Sequence, residues 1–357
     1  MIYSGRRISL ALSGGGVRAM AFHAGLLKCL AERNLLENVK NISTVSGGSL
    51  LVGLVFKLNN YQWPTSQEYL DNIYLKVRLE LCGKSLMRGF LLKFLNPLNI
   101  RYYLSRANLL SFAIQTHWGI KGVMPNLPDD PDWSINGTTA ENGKRFRFKY
   151  HSIGDYDTGY ACADDILLAD AMSVSAAFPG GIGPFSLVTK NHKWFKRKWN
   201  APEDSTEEIT LPTKKLRIYD GGVYDNLGLE PFFDQSKGEA KIYNDFIICS
   251  DAGAPLKFGF SYWQLNPWRL KRVMDIISEQ SRSLRVRAFV NYLKCNQCSG
   301  CYVNINHKDN NDVLNSGVKV GEYPTNIKSF FEHDFDAIAN SGYKMMNRNL
   351  RLYPLPV

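Results

Sequence analysis

Residues 8–12 (Ile-Ser-Leu-Ala-Leu) form a short apolar run closed by Ser13 and three glycines, the pattern of a buried strand running into a tight loop. Behind it Val17, Met20, Ala21, Ala24, Leu27 and Ala31 recur at helical spacing, and the pattern fades at Asn34. Residues 41–45 predict a second short strand, Ser46-Gly47-Gly48 a tight turn, and residues 50–58 another apolar helix. The opening of the chain therefore reads strand, glycine loop, helix, strand, turn, helix, which is α/β organisation.

Residues 60–145 break that rhythm. Helices are expected near 68–81 and 85–95, the second running into Pro97, and 125–143 reads as loop. We expect this part to be an insertion on one face rather than a separate domain. Phe146, Phe148 and Tyr150 alternate with Arg147 and Lys149, as a half-buried strand does. Residues 164–177 predict a helix that stops before Pro179-Gly180-Gly181, residues 216–219 and 246–250 predict strands, and 268–293 a long helix rich in arginine. There is no internal repeat.

Composition narrows the class. A chain of 357 residues that is 45% hydrophobic and 21% charged can bury a core without staples, so disordered and collagen-like classes are excluded. Lys and Arg number 43 against 33 Asp and Glu, a balance of +10. That favours an anionic partner, be it nucleic acid, a membrane surface or an acidic substrate, and charge alone does not choose among them. No apolar run approaches the ~18 residues of a membrane-spanning helix; the longest, 90–95 and 50–56, are interrupted by Lys93 and Gly53. With seven cysteines and no leader-like apolar segment, the setting expected is the cytoplasm, with any membrane met from its inner face.

Three motifs carry chemistry. In Ser13-Gly14-Gly15-Gly16-Val17-Arg18 a glycine run between strand and helix exposes backbone N–H groups at a helix N-terminus, which suits an anion. Gly14-x-Gly16-x-x-Ala19 also fits a dinucleotide fingerprint, but the second strand ends in Thr44-Val45-Ser46 without the acid a ribose needs. The same N–H groups can form an oxyanion hole. Thr44-Val45-Ser46-Gly47-Gly48 is a nucleophile elbow G-x-S-x-G with Thr in the first glycine's place, unless Ser46 merely caps the next helix. In Tyr219-Asp220-Gly221-Gly222 an acid stands at the end of a strand, where α/β enzymes place chemistry; the plain alternative is a tight turn.

In this order, G-G-G-x-R, elbow and D-G-G, the motifs resemble the patatin-like phospholipase family. Ser173-Val174-Ser175-Ala176-Ala177-Phe178-Pro179 resembles its small-residue helix, Tyr224-Asp225-Asn226-Leu227-Gly228 resembles the segment after D-G-G in bacterial members, and 321–343 is a looser echo. The resemblance implies a three-layer α/β fold with a mostly parallel central sheet and helices on both faces. It implies one domain over residues 1–357, with the insertion at about 60–145 and a basic-aromatic loop at about 187–213. The function implied is lipid acyl-ester hydrolysis of phospholipase A or lysophospholipase type. Ser46 would be the nucleophile, Asp220 its base, and Gly14, Gly15 and Gly16 the oxyanion hole; no histidine, metal or cofactor is needed. Arg18 would orient the loop or meet a phosphate. Thr44 in place of glycine narrows the turn but leaves the nucleophile.

Other readings stay open. Ser46, Asp251 and His307 or His333 stand in the order of an α/β-hydrolase triad, although here the elbow comes directly after the second strand. A weakly catalytic lipid- or nucleotide-binding effector is a further class. Lys193, Trp194, Lys196, Arg197 and Trp199 interleave cations with aromatics, which suits a membrane interface better than nucleic acid; the alternative is a solvated loop with tryptophans packed beneath. Residues 85–95 suit either a lid or a core helix. Cys295, Cys298 and Cys301 with His307 have the spacing of zinc or iron–sulfur ligands, or of an ordinary hairpin. Phospholipid or lysophospholipid and a membrane surface are the partners expected, and no nucleic acid.

Overall fold

The computed structural model describes residues 5–179, 181–197, 205–260, 266–310 and 312–355, with backbone alone at 266–268. The chain begins β1 (Ile8–Leu12), α1 (Gly16–Ala31), β2 (Val39–Thr44) and α2 (Gly47–Leu58). A helical stretch comes next: α3 (Ser66–Glu68), α4 (Tyr74–Gly83), α5 (Leu86–Phe94) and α6 (Ala107–Ala113). Then come β3 (Asp132–Thr139), β4 (Arg145–Phe148), β5 (Ser152–Asp155), β6 (Gly159–Cys162), α7 (Leu168–Ser175), β7 (Phe185–Val188), β8 (Trp194–Lys196) and β9 (Glu207–Ile209). The chain continues through β10 (Lys215–Asp220), α8 (Gly222–Asp225), β11 (Phe233–Asp234), β12 (Glu239–Ala240), β13 (Phe246–Asp251), α9 (Asn266–Cys295), β14 (Gly300–Asn304) and α10 (Glu332–Leu352).

Twelve strands join in one sheet in the order β14-β13-β1-β2-β3-β4-β5-β6-β8-β9, with β10 on β3 and β7 on β10. From β14 to β3 all neighbours are parallel. Beyond β3 they are antiparallel. The parallel strands are buried on both faces, and their alternation sorts side chains between two cores. Ile8, Leu10, Leu12, Phe246 and Ile248 face one core with α1, α2 and α10. Ala11, Ile247 and Cys249 face the other with Phe289 of α9. From β1 to β3 the crossovers step one way along the sheet, and from β13 to β14 the other way. With right-handed crossovers the helices must then lie on opposite faces, which gives the three layers. The switch falls between β1 and β13, and the loops leaving those strands bound a crevice there.

One expectation is corrected. Residues 125–143 do not form a loop; they contain β3, a central strand. Its sequence, Asp-Trp-Ser-Ile-Asn-Gly-Thr-Thr, carries little apolar signal. It is buried nonetheless, because its polar side chains find partners: Asn136 Nδ2 donates to Ser43 Oγ and to the Thr44 carbonyl, both at 2.9 Å, and Thr139 Oγ1 donates to Asp155 at 2.7 Å. Hydrogen bonding can satisfy a buried strand that periodicity does not reveal.

Candidate active site

Ser46 sits between β2 and α2 with φ 50° and ψ −116°, a conformation that L residues rarely adopt. The turn is tight. A Cβ on Gly47 would lie 2.2 Å from the Gly16 carbonyl oxygen, so the residue after Ser46 must be glycine. The Ser46 side chain makes no capping bond to α2, which disposes of the cap reading. Its backbone N–H donates to Ser175 Oγ at 3.0 Å. That hydroxyl continues a buried chain, to Ser49 Oγ at 2.8 Å and on to Thr44 Oγ1 at 2.7 Å, which accepts from Trp133 Nε1 at 2.9 Å. Thr44 is thus a buried bracing group in the elbow.

The glycine loop lies beside the elbow, at the ends of β1 and β13. Gly15 has φ 148°, open to glycine alone, and a Cβ there would stand 2.7 Å from the Ala252 carbonyl. The three glycines are not equivalent. The Gly14 N–H donates to the Asn226 carbonyl at 3.0 Å, so Gly14 does not offer the oxyanion donor expected of it. Its need for no side chain is steric, since a Cβ would lie 2.4 Å from Asn226 Oδ1. The Val17 N–H is likewise held by Asn326 O at 2.9 Å. Between them Gly15 and Gly16 stand at the start of α1, and α2 starts at Gly47, so two helix N-termini border Ser46.

Arg18 is buried. Nε donates to the Ala252 carbonyl at 3.0 Å and Nη1 to the Tyr323 carbonyl, tying α1 to the loop after β13 and to residue 323. Burial lowers its pKa to about 10, still far above neutrality. It therefore acts on the loop from beneath.

Asp220 reaches the site through the sheet. One edge of β3 is shared: residues Asp132 to Ile135 pair with β2 up to Thr44, and Gly137 to Thr139 pair with β10. Its other edge carries β4. Because β10 runs antiparallel, its last residue, Asp220, lies opposite Gly137, two positions past the partner of Thr44. The carboxylate accepts the Gly222 N–H at 2.7 Å and lies within the influence of the Ser46 hydroxyl. Burial dominates nonetheless and raises its pKa to about 7, while the Gly222 N–H and the Ser46 hydroxyl pull it down.

The other combinations are not assembled. Asp251 is bound by Arg282 at 2.5 Å, by the Tyr302 hydroxyl at 2.6 Å and by the Gly253 N–H at 2.9 Å. His307 pairs with Asp309, at 3.7 Å, and His333 with Asp334, at 3.1 Å, so neither meets Asp251. His23, the histidine nearest the loop in sequence, is buried between Ser250 Oγ (2.9 Å) and the Ser13 carbonyl (3.0 Å). Burial lowers its pKa to about 4; as Ser13 O can only accept, the proton sits on Nε2. Cys301 is buried in β14 beside Cys29, whereas Cys295 is exposed, and among the described residues no group of three His, Cys, Asp or Glu converges on a metal position.

The basic-aromatic segment is also revised. Trp194 is buried, its Nε1 donating to the Thr189 carbonyl at 3.0 Å, because β8 is laced between β6 and β9. Lys196 is bonded to Asp157. Lys193 and Arg197 are exposed, and Trp199 lies outside the described residues. Two further residues escaped functional notice. Asn226 wedges between Gly14 and Gly222, and Asn136 links the end of β2 to Gly221, whose Cβ would stand 2.5 Å from the Asn136 carbonyl. Asn226 is visible within the stretch after D-G-G; nothing local marks Asn136.

Among solved structures the chain resembles human GIVD cytosolic phospholipase A2, with TM-score 0.55 and 12% identity over 95% of this chain and 58% of that one. The human protein in complex with methyl gamma-linolenyl fluorophosphonate gives 0.54 and 13%, over 96% and 57%. VipD from Legionella pneumophila gives 0.42 and 15%, over 98% and 67%. The chain therefore spans under two thirds of the human protein's length. No curated protein sequence matches it. A family model described as patatin-like phospholipase matches residues 10–233, more than half of the 357 residues and inclusive of the glycine loop, the elbow and Asp220. The chain belongs to the patatin-like phospholipase family.

Proposed function

We propose that this chain is a phospholipase A or lysophospholipase working through a Ser46–Asp220 dyad. Family membership makes lipid-ester hydrolysis the function at the coarse level. The observation that supports the dyad is the placement: β3 brings the end of β10 beside the strained elbow, so that a buried carboxylate whose pKa is raised to about 7 faces the Ser46 hydroxyl. A base works best with its pKa near the operating pH, so Asp220 is half ionised where it is needed and basic enough to take a hydroxyl proton.

The steps balance without a metal or cofactor. Asp220 accepts the Ser46 proton as Oγ bonds to the ester carbonyl carbon. The oxyanion is met by the N–H groups of Gly15 and Gly16, donors of a kind worth about 3–4 kcal/mol each. Asp220 then returns the proton to the leaving alcohol. Water, losing a proton to Asp220, attacks the acyl-serine, and the proton passes back to Ser46 as the fatty acid leaves. In this reading the chain works as one domain in a reducing cytoplasm, peripheral to a membrane. All seven thiols are free, and no helix among the described residues is long and apolar enough to cross a bilayer.

The test is covalent labelling by a long-chain fluorophosphonate, mapped by mass spectrometry, alongside release of fatty acid from mixed phospholipids. The adduct is expected on Ser46, with Ser46→Ala neither labelled nor active. An adduct on Ser49, or turnover that survives Ser46→Ala, overturns the assignment.

A further inference from the structure

We infer that residues 85–104 form the face by which the protein seats on an anionic bilayer, with the mouth of the Ser46 site toward the lipid; the inference rests on the lipid-hydrolase reading above. Four observations on separate properties carry it.

The first is charge. From residue 81 to residue 128 the chain has no Asp or Glu, yet it holds Lys84, Arg88, Lys93, Arg101, Arg106 and Lys121. Among the described residues only Lys84 of these has an acidic partner, Glu80, at 2.8 Å. The second is apolar exposure. Leu91, Leu92, Leu95, Leu98, Ile100 and Leu104 all face solvent, Leu98 at 85% and Leu104 at 88%. Scattered exposed leucines are ordinary; six within one short stretch, among unpaired cations, make a patch.

The third is rigidity. Leu86 and Phe90 anchor the inner face of α5 in the core. The turn after it folds back, Phe94 stacking on Tyr103 at 4.7 Å and Asn99 Nδ2 donating to the Lys93 carbonyl at 2.8 Å. The leucines thus stand on a braced platform. The fourth is position. The Met87 N–H donates to Ile327 O at 2.9 Å, and the adjacent Asn326 carbonyl holds Val17 of the glycine loop, also at 2.9 Å. Arg106 lies beside Gly183, in the loop beyond Ala177, and the Ala177 carbonyl accepts the Asp220 N–H at 3.1 Å. The platform, with Arg106 just beyond it, therefore touches the supports of both the proposed oxyanion loop and the proposed base.

Apolar side chains ringed by cations, with no acid among them, match the chemistry of an anionic bilayer, where the leucines enter the acyl boundary and the cations meet headgroup phosphates. The Lys193–Arg197 stretch offers less, since its Trp194 is buried and Lys196 is paired.

The experiment uses the full chain with vesicles of phosphatidylcholine alone or mixed with phosphatidylglycerol. Three paired variants are compared: Leu95→Glu with Leu98→Glu, Arg88→Glu with Arg101→Glu, and Lys193→Glu with Arg197→Glu as the control. Removing two leucines from the acyl boundary should weaken vesicle binding at least about tenfold. The arginine pair should lose binding chiefly to the anionic vesicles, and the control pair should bind nearly as the wild type does. Hydrolysis of a water-soluble short-chain ester should be equal in all four proteins, which also reports that each is folded. Wild-type protein that ignores anionic vesicles, or platform variants that bind as it does, would overturn the inference. So would loss of a dimer in the leucine variant with vesicle binding intact, which assigns the patch to a second copy. Absence of ester hydrolysis in the wild type would strike the lipid-hydrolase reading, while vesicle binding still decides the platform.

Discussion

The two walls of the site are built by opposite means. The wall that carries Ser46, the proposed nucleophile, is local: β1, the glycine loop, α1, β2 and the elbow succeed one another within residues 8–58. Its geometry is forced by backbone crowding, as at Gly47, where any side chain strikes the Gly16 carbonyl. The wall that carries Asp220, the proposed base, is assembled from afar. Asp220 arrives on β10, which takes over an edge of β3 where β2 leaves it. The difference teaches where each wall is vulnerable. A local wall fails through its own strained residues; an assembled wall fails through the strand that joins the pieces.

The largest effect should come from the proposed base itself. Asp220→Asn removes proton transfer and should lower hydrolysis by about 10²–10⁴-fold, the range of general-base contributions. Stability should move the other way. The folded pKa is raised to about 7 from an ordinary 3.8, so between those values the folded chain holds a proton that the unfolded chain has released. Stability then falls as pH rises through that window and stays reduced above it. The asparagine variant avoids this loss, and thermal melts at pH above 7 should show it more stable than wild type. For the wild type, kcat/KM on a soluble ester should rise with pH through an inflection near 7 and level off above it; an inflection near the ordinary carboxylate value would assign the base elsewhere.

Next is the joint between the walls. Asn136→Ala strips the Thr44 carbonyl and Ser43 Oγ of their shared donor, beside Gly221. Buried groups left unpaired cost about 1–3 kcal/mol, so the melting temperature should fall. If Asn136 joins the walls, kcat should also fall by more than KM changes; a loss of stability with kcat intact would make the joint merely structural.

The third effect is on stability alone and concerns the wall that carries Ser46. Thr44→Gly restores the family's elbow residue, yet it deletes the acceptor of Trp133 Nε1 and the partner of Ser49. A variant closer to the motif should therefore be less stable, again by about 1–3 kcal/mol, with Ser46 still labelled by fluorophosphonate. A more stable Thr44→Gly protein would show that the serine chain braces nothing. The smallest effect is expected from Cys295→Ser with Cys298→Ser, both outside the core, which should leave turnover and melting unchanged.

How legible the molecule is in its sequence depends on the same contrast. The parallel core around β1, β2 and β13 is readable from short apolar runs, and Ser46 and the glycine loop announce themselves because few residues tolerate such backbones. Of the antiparallel strands only β4, through Phe146 and Phe148, and β10 show in the pattern, and β3 is hidden because it is polar and buried at once. Gly14, Gly15 and Gly16 look alike as letters; only the carbonyl of Asn226 separates the first from the other two. The cation-rich stretches at 85–104 and 193–197 also look alike. Strand pairing buries Trp194 in one, while among the described residues no neighbour covers Leu98 and Leu104 in the other.

The sequence by itself determined the α/β rhythm, the strained turn at Ser46 and the candidate base, since steric limits and apolar periodicity act within a few residues. Tertiary structure alone decided that the end of β10, with Asp220, comes beside the elbow, that Asp251 is claimed by Arg282 and Tyr302, and that Arg18 lies beneath the loop. Those outcomes hang on which strand edge is free and which partner excludes water. Both are set by contacts between residues far apart in the chain, and no local pattern encodes them.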